Sequence, residues 1–491
     1  VHQEQEVMLT NNNDNTINTI TAVATPPGVG AVAIIRISGP KTNSIIKKIF
    51  IPKKAKTTKK TPLKSHKMYY GTIIDENHQI IDEVMCVLMN KPHSYTCEDT
   101  AEIHCHGGLA TVAAVLGTLL ENGATLAQPG EFTKRAFLNG RIDLIQAEAV
   151  MELISAKNNL ARRATLRKLA GGLSSKIKQA RQQILLWLAN IELSIDYPEH
   201  EEEASNLATI QQDCGVLLQT LTNLAATANI GNFIKTGVPT AIIGKPNVGK
   251  SSLMNAILQA ERAIVTEIPG TTRDTLTENV SVRNIPIQLT DTAGIRQNKV
   301  DKVEQLGIDR SLALAESSEL VLFVLDISEQ LQPEDTAIMH LLQNQDNKKI
   351  ILLNKADLPP KCEWENFNTS ENPENPENSN KSNIFQNTPT IKISAKTGTG
   401  LNELYATIEK MFVSENIAID DDIITKERDK LLLQTAISQL NTAMTEITQG
   451  VPEDIISISL RAAYIALGEI LGETVADDIV DKIFAEFCVG K

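Results

Sequence analysis

The chain is short of cations for its length. Its 491 residues carry 47 Lys and Arg against 60 Asp and Glu, a formal net charge of −13. That excludes non-specific nucleic-acid binding by the whole surface, because phosphate contacts need clustered cations. A membrane-length apolar run is also missing, so no membrane partner is expected. Six cysteines, Cys86, Cys97, Cys105, Cys214, Cys362 and Cys488, show no framework spacing, which fits a reducing compartment and predicts no disulfides. The stretch from Val1 to Asn18 is polar and acidic rather than basic then apolar, unlike a secretory or transit peptide, so a cytoplasmic location is expected. No solenoid repeat is present. Charged residues at 22% and hydrophobic residues at 42% describe a globular protein, and the length calls for roughly two to four domains.

What cations there are concentrate between Lys41 and Lys67, with Tyr69 and Tyr70 just beyond. A solvated loop or a local RNA contact would explain them, and charge runs are usually solvated. Cys97, His104, Cys105 and His106 invite comparison with a zinc site. Successive residues of a strand alternate faces, however, which spoils their convergence.

Against this background, Gly244-Lys-Pro-Asn-Val-Gly-Lys-Ser251 stands out. A strand-like run, Val238 to Ile243, turns through glycine into a predicted helix from Ser251 to Leu258, aiming backbone N–H groups at an anion. Lys250 belongs beside the β and γ phosphates of a nucleotide, and the Ser251 hydroxyl suits Mg²⁺, a hard cation that prefers oxygen. Gly270-Thr-Thr-Arg-Asp274 offers further hydroxyls to that ion, and Asp291-Thr-Ala-Gly294 follows the alternating strand Ile285 to Leu289. Asp291 can orient the Mg²⁺ shell, and the N–H of Gly294 can reach the γ phosphate. Leu320 to Asp326 and Ile350 to Leu353 are continuous apolar runs, as expected where both faces of a parallel sheet are covered. The second ends in Asn354-Lys-Ala-Asp357, whose aspartate can accept from the N1–H and 2-amino group of guanine, a pair adenine cannot present. Ser394-Ala395-Lys396, closing strand Thr390 to Ile393, supplies a backbone donor to the guanine carbonyl. Each motif alone is weak. Their order, at strand ends where doubly wound sheets bind ligands, points to a guanine-nucleotide hydrolase.

One polar group is missing. Where many GTPases place a water-orienting glutamine after the Asp-Thr-Ala-Gly run, this chain has Ile295, which cannot hydrogen-bond a water. The catalytic charge must come from elsewhere. Asn247 can coordinate a monovalent cation between the phosphates, or it can serve only as a turn asparagine.

Around this module the pattern changes. Residues 17–135 mix short strands (Ala31 to Ile37, Tyr69 to Ile74, Asp82 to Met89, Thr100 to Cys105) with a helix near Thr111 to Glu121, an α+β domain. Apolar residues then recur at helical spacing: Ile184, Leu188, Ile191 and Ile195, and Leu217, Leu221, Leu224 and Ala228. They do so again after the module, at Leu433, Ile437, Leu440, Met444 and Ile447, and at Leu460, Tyr464, Leu467 and Leu471. The fold class is therefore α/β plus α: an N-terminal α+β domain, a helical domain in two parts (136–235 and 413–491), and a mostly parallel P-loop G domain inserted at 236–412. Residues 361–388, rich in Asn, Ser and Pro, are expected to form a disordered insertion within it. Asp196 to Glu203, acidic and containing Pro198, is expected to break two helices.

With these segments in view, the chain resembles the MnmE (TrmE) family of tRNA-modifying GTPases. The likeness extends beyond the G module to Thr25-Pro-Pro-Gly-Val-Gly30, Arg36-Ile-Ser-Gly39, His106-Gly-Gly108, Pro129-Gly-Glu-Phe132, Arg135-Ala-Phe-Leu-Asn-Gly-Arg-Ile-Asp-Leu144 and Cys488-Val-Gly-Lys491. The resemblance implies a Ras-like G domain and a homodimer formed by the N-terminal domain. It implies a heterotetramer with the flavoprotein MnmG (GidA), tRNA as substrate, and aminomethyl or carboxymethylaminomethyl transfer to C5 of wobble uridine. It implies 5-formyltetrahydrofolate or a related folate on Arg36, Glu102, Arg141 and Lys491, where cations suit glutamyl carboxylates and a carboxylate suits the amino-pyrimidine edge. GTP is implied to contact Asn247, Val248, Gly249, Lys250, Ser251 and Ser252; Thr266, Glu267, Ile268, Pro269, Gly270, Thr271 and Thr272; Asp291, Thr292, Ala293 and Gly294; and Asn354, Lys355, Asp357, Ser394, Ala395 and Lys396. K⁺ is implied to rest on Asn247, Thr266, Ile268 and Thr271, and Mg²⁺ on Ser251 and Thr272. The family's water-orienting glutamate maps to Glu304 through Val303-Glu-Gln-Leu-Gly-Ile308. Lys250 is the phosphate-binding catalytic residue, and Cys488, beside Lys491, is a further catalytic candidate or else a buried structural cysteine. The alternative function is a ribosome-assembly GTPase, a switch that performs no nucleoside chemistry.

Overall fold

The computed structural model describes residues 18–53, 63–156, 158–196, 207–260, 277–283, 285–291, 314–343, 345–361, 388–412 and 422–490. The chain divides into two compact units, one of residues 1–154, 168–192 and 460–491, the other of residues 155–167 and 193–459.

The first unit is built on a seven-stranded sheet. Its strands are β1 (Ile20–Val23), β2 (Gly30–Ser38), β3 (Phe50–Pro52), β4 (Met68–Ile74), β5 (Ile80–Met89), β6 (Thr100–Gly107) and β7 (Thr125–Leu126), in the order β3-β4-β5-β6-β2-β1-β7. All pairs are antiparallel except β1 with β7. The side-chain period of two sorts each strand. Ala33, Ile35 and Ile37 of β2 join Ala101, Ile103 and Cys105 of β6 in a core closed by helices α1 (Thr42–Ile49) and α2 (Leu109–Glu121). The intervening residues face the other way, and the register sets Arg36 directly opposite Glu102.

Helix α1 corrects the solvated-loop expectation for Lys47 and Lys48 of the lysine-rich segment, whose Lys54, Lys56, Lys59 and Lys60 lie outside the described residues. Ile45, Ile46 and Ile49 are buried in the core, whereas Lys47 and Lys48 lie exposed in the last turn, where cations favour the helix dipole. The charge of these two lysines is solvated as expected, but it rides on an amphipathic helix. Cys105 is buried and His106 exposed, as strand alternation requires.

The C-terminal end of the chain packs onto this unit through α3 (Glu131–Leu138). Phe484 of the last helix, Asp477–Ala485, lies among Ala136, Ile142, Leu144 and Phe487, its ring 6.1 Å from Phe137. At Gly130, φ is +69° and an added Cβ would fall 2.5 Å from the Phe484 carbonyl oxygen, so only glycine permits this approach. Of the helical stripe read at 184–195, Ile184, Leu188 and Ile191 are buried, but Ile195 is 47% exposed, one turn beyond the packed part of the helix Gly172–Asp196.

The second unit holds a six-stranded sheet of β8 (Val238–Ile243), β9 (Thr277–Val282), β10 (Ile285–Asp291), β11 (Leu320–Asp326), β12 (Lys348–Asn354) and β13 (Thr390–Lys392). The order is β13-β12-β11-β8-β10-β9, parallel throughout except for β9. Residues of opposite parity on β11 feed opposite layers. Leu320, Leu322 and Val324 pack with Leu253 and Ile257 and with Leu404 and Ile408. Val321, Phe323 and Leu325 pack with Ile338, Met339 and Leu342. Coverage of both faces explains the unbroken apolar runs. Parallelism places the C-terminal ends of β8, β10, β11, β12 and β13 along one edge. A long helix pair, Leu207–Thr236 against Glu427–Thr448, also belongs to this unit. Asp196 ends the helix Gly172–Asp196, and the rest of the expected break, to Glu203, lies outside the described residues, as does nearly all of the 361–388 insertion.

Candidate functional site

The loop leaving β8 runs over the strand-end edge and opens helix Lys250–Ala260. At Gly244, an added Cβ would sit 2.4 Å from the Val324 carbonyl oxygen on β11, so the loop starts pressed against the sheet backbone. Asn247 has φ +65°, the left-handed conformation that asparagine tolerates better than most residues, and is exposed. Val248 is fully buried, which anchors the loop's far side. The Lys250 ammonium donates to the carbonyls of Gly244 and Lys245, both at 2.7 Å, and therefore lies across the loop. Ser251 and Ser252 are exposed in the first turn of the helix.

Asn354, at the end of β12 and 2% exposed, joins the segments. Its Nδ2 donates to the Val248 carbonyl at 2.6 Å, and its Oδ1 accepts from the Ala395 N–H at 3.0 Å. One side chain thus ties the phosphate loop, the end of β12 and the Ser394–Lys396 turn together. Gly249 follows from this: a Cβ there would fall 2.3 Å from Asn354 Nδ2, at φ +100°. The exposed Asp357 accepts from Ser394 Oγ at 2.7 Å, and that hydrogen bond, with a backbone one, holds its carboxyl below the usual aspartate range. Lys355, also left-handed at φ +65°, pairs with Asp326 at 2.5 Å. Burial pushes the Asp326 carboxyl up, but hydrogen bonds from Lys355 and from Ser328 outweigh it and leave it lowered. Asp326 closes a strand that the sequence reveals, yet its role there carries no motif.

Asp291 ends β10, next to β8 on the same edge. Thr266, Glu267, Ile268, Pro269, Gly270, Thr271, Thr272, Thr292, Ala293, Gly294, Ile295 and Glu304 lie outside the described residues.

A second cluster lies in the first unit. Arg36 Nε and Nη2 both donate to Glu102 Oε1, at 2.9 and 2.8 Å, and Nη1 donates to the Gly490 carbonyl at 3.3 Å. The Arg36 guanidinium stands 5.6 Å from the Tyr95 ring centroid and 5.7 Å from that of Phe132. Arg141 stands 4.9 Å from the same Tyr95 ring and donates to the Tyr95 carbonyl at 3.2 Å. The structure therefore brings Arg36, Glu102, Arg141 and the residue before Lys491 together, while Lys491 itself lies outside the described residues. Tyr95 went unread in the sequence, since a single aromatic in an irregular loop leaves no pattern. Cys488 is exposed, so the buried structural alternative for it does not hold. Its carbonyl accepts from the Gly130 N–H at 3.3 Å.

A phosphate loop between a central parallel strand and a helix, joined to an Asn-Lys-x-Asp strand end, defines the P-loop GTPase class. Two family models match the chain: the GTP-binding protein TrmE N-terminus over residues 19–141 and the MnmE helical domain over residues 144–488. Among curated proteins, the tRNA modification GTPase MnmE of Natranaerobius thermophilus is 40% identical over 97% of this chain and 100% of its own length. That of Lachnoclostridium phytofermentans is 43% identical over 96% and 99%, and that of Bacillus subtilis 40% over 97% and 100%. The chain belongs to the MnmE family, a GTP hydrolase family of tRNA modification. These relatives carry the tRNA-modification name rather than the ribosome-assembly alternative. Among the described residues, no helix is long and apolar enough to cross a membrane.

Proposed function

We propose that the chain is a potassium-activated GTPase that works as a homodimer in the cytoplasm. With the flavoprotein MnmG in a heterotetramer, it adds aminomethyl or carboxymethylaminomethyl groups to C5 of wobble uridine in certain tRNAs. The observation that carries the nucleotide half is Asn354, whose two hydrogen bonds hold the phosphate loop and the base-reading turn in one pocket.

Loop and helix N–H groups receive the phosphates, and Lys250, already poised across the loop, donates to the β and γ oxygens. Asp357 accepts from the guanine N1–H and 2-amino group, and the 394–396 turn donates to its carbonyl. Ser251, exposed at the helix start, suits Mg²⁺ together with Thr272; Asn247, exposed on the loop, suits K⁺ together with carbonyls of Thr266, Ile268 and Thr271. When bound, these cations supply the positive charge that offsets charge developing on the phosphates. Glu304 orients the attacking water, a task Ile295 cannot perform.

The Arg36 cluster fits a folate. Arg36 occupies only Oε1 of Glu102, and His104 Nε2 is 3.7 Å from Oε2, beyond hydrogen-bond distance, so that oxygen suits an amino-pyrimidine edge. Arg141 and Lys491 suit the glutamyl carboxylates. The folate, when bound, supplies a one-carbon unit.

Turnover of GTP in K⁺ and in Na⁺ at matched ionic strength tests the reading. Faster hydrolysis in K⁺ is expected, and equal rates would overturn the cation role of Asn247. Loss of modified wobble uridine in a strain lacking this chain tests the tRNA half.

A further inference from the structure

The phosphate loop contains a second lysine that none of the roles above uses. Lys245 is 8% exposed, unusual for a lysine in a surface loop. Its ammonium lies 3.1 Å from Asp335 Oδ2 and 3.6 Å from Glu329 Oε2. Asp335 sits in the first turn of helix Pro333–Gln343 and is 1% exposed. The same Oδ2 accepts from the Gln332 N–H at 3.0 Å, and Oδ1 is buried with no hydrogen-bond partner among the described residues. Lys245 is therefore the cation that makes this buried carboxylate tolerable. Glu329, 59% exposed, adds a weaker, solvated attraction. Burial alone would lower the Lys245 pKa, and the hydrogen bond and charge of Asp335 outweigh it and leave it raised.

The consequence lies in the backbone. The carbonyls of Gly244 and Lys245 are the two acceptors that hold the Lys250 ammonium across the loop. Whatever fixes the Lys245 main chain fixes that cradle. We propose that Asp335 is a positioning residue of the nucleotide site: its buried ion pair with Lys245 pins the phosphate loop to the helix after β11 and so sets how tightly nucleotide phosphates are held. This rests on the phosphate-loop reading above.

The test is the dissociation rate of a fluorescent guanosine diphosphate from the full-length chain, measured for wild type, Asp335→Asn, Lys245→Met, the double variant and Lys245→Arg, with circular dichroism melting of each. Wild type must first bind the probe; failure there would sink the phosphate-loop reading itself. Given binding, each single variant is expected to release nucleotide about tenfold faster, with the double variant no worse than the worse single because the two act as one unit. Lys245→Arg, which keeps the charge, is expected to release it at a rate within about threefold of wild type. Release rates within about twofold of wild type in both singles would overturn the proposal. So would additive effects, or a loss in Lys245→Arg equal to that in Lys245→Met. Because Lys245→Arg retains the pair, it keeps the question open to decision even if Asp335→Asn fails to fold.

Discussion

The two polar sites of this chain are built by opposite means. The nucleotide site takes its groups from strand ends and loop backbone, and its segments are each short and contiguous: 244–251, 354–357 and 394–396. The Arg36 cluster takes side chains from residues 36, 95, 102 and 141 and a backbone carbonyl from Gly490, brought together by cross-strand register and by the packing of the last helix on α3. A site made from contiguous backbone leaves a spacing in the sequence, because glycine, lysine and serine must fall at fixed offsets. A site assembled from side chains far apart in sequence leaves none.

Neutralising the phosphate-binding cation should break the comparison most sharply. Lys250→Ala is expected to slow GTP hydrolysis by about two to three orders of magnitude, measured in single turnover. Folate titration of the same variant should be unchanged, since the clusters share no residue.

Phe323→Ala comes next. It empties a fully packed position in the layer beneath β11 and should cost about 3–5 kcal/mol in denaturant unfolding. A loss below 1 kcal/mol would contradict the two-faced packing.

Asn354→Ala removes both hydrogen bonds that join loop to turn. Leaving buried groups unpaired costs about 1–3 kcal/mol, so affinity for GTP should fall about tenfold by calorimetry.

In the other cluster, Tyr95→Leu should weaken folate binding about three- to tenfold by releasing two guanidinium groups from one ring, while Tyr95→Phe should preserve it. Equal losses in both would assign the effect to the hydroxyl bonded to Thr133.

The smallest effect concerns pH. The Asp326 carboxyl is lowered from the ordinary 3.8, so its contribution to stability is complete above that value and is lost as pH falls through the lower folded value. Asp326→Asn should therefore flatten the acid limb of the melting curve below about pH 4, and an unaltered limb would contradict the pairing with Lys355.

This contrast explains what was legible. The strand at Leu320 to Asp326 could be read because an unbroken apolar run with a polar end has few other interpretations, and the strand-like run at Val238 to Ile243 because it turns through glycine into a helix. Strands β2, β4, β5 and β6 and helix α2 were visible through alternation and helical spacing, whereas the two- to four-residue strands β1, β3 and β7 are too short to show either period. Helix α1 was hidden because its lysines mask three isoleucines at helical spacing. The pairing of Arg36 with Glu102 depends on register, which the sequence does not state, and their roles came only through family resemblance. Asp326, Lys245 and Asp335 were missed because ion pairs between a loop and a neighbouring strand end or helix follow from where those elements land, not from any local pattern.

The central claim is that Asp357 reads guanine in a pocket that Asn354 holds together. Calorimetric titration of Asp357→Asn with GTP and with XTP tests it directly. Xanthine carries a carbonyl where guanine carries its 2-amino group, so the asparagine amide should lose GTP and gain XTP. Undiminished GTP binding with no gain in XTP would contradict the account.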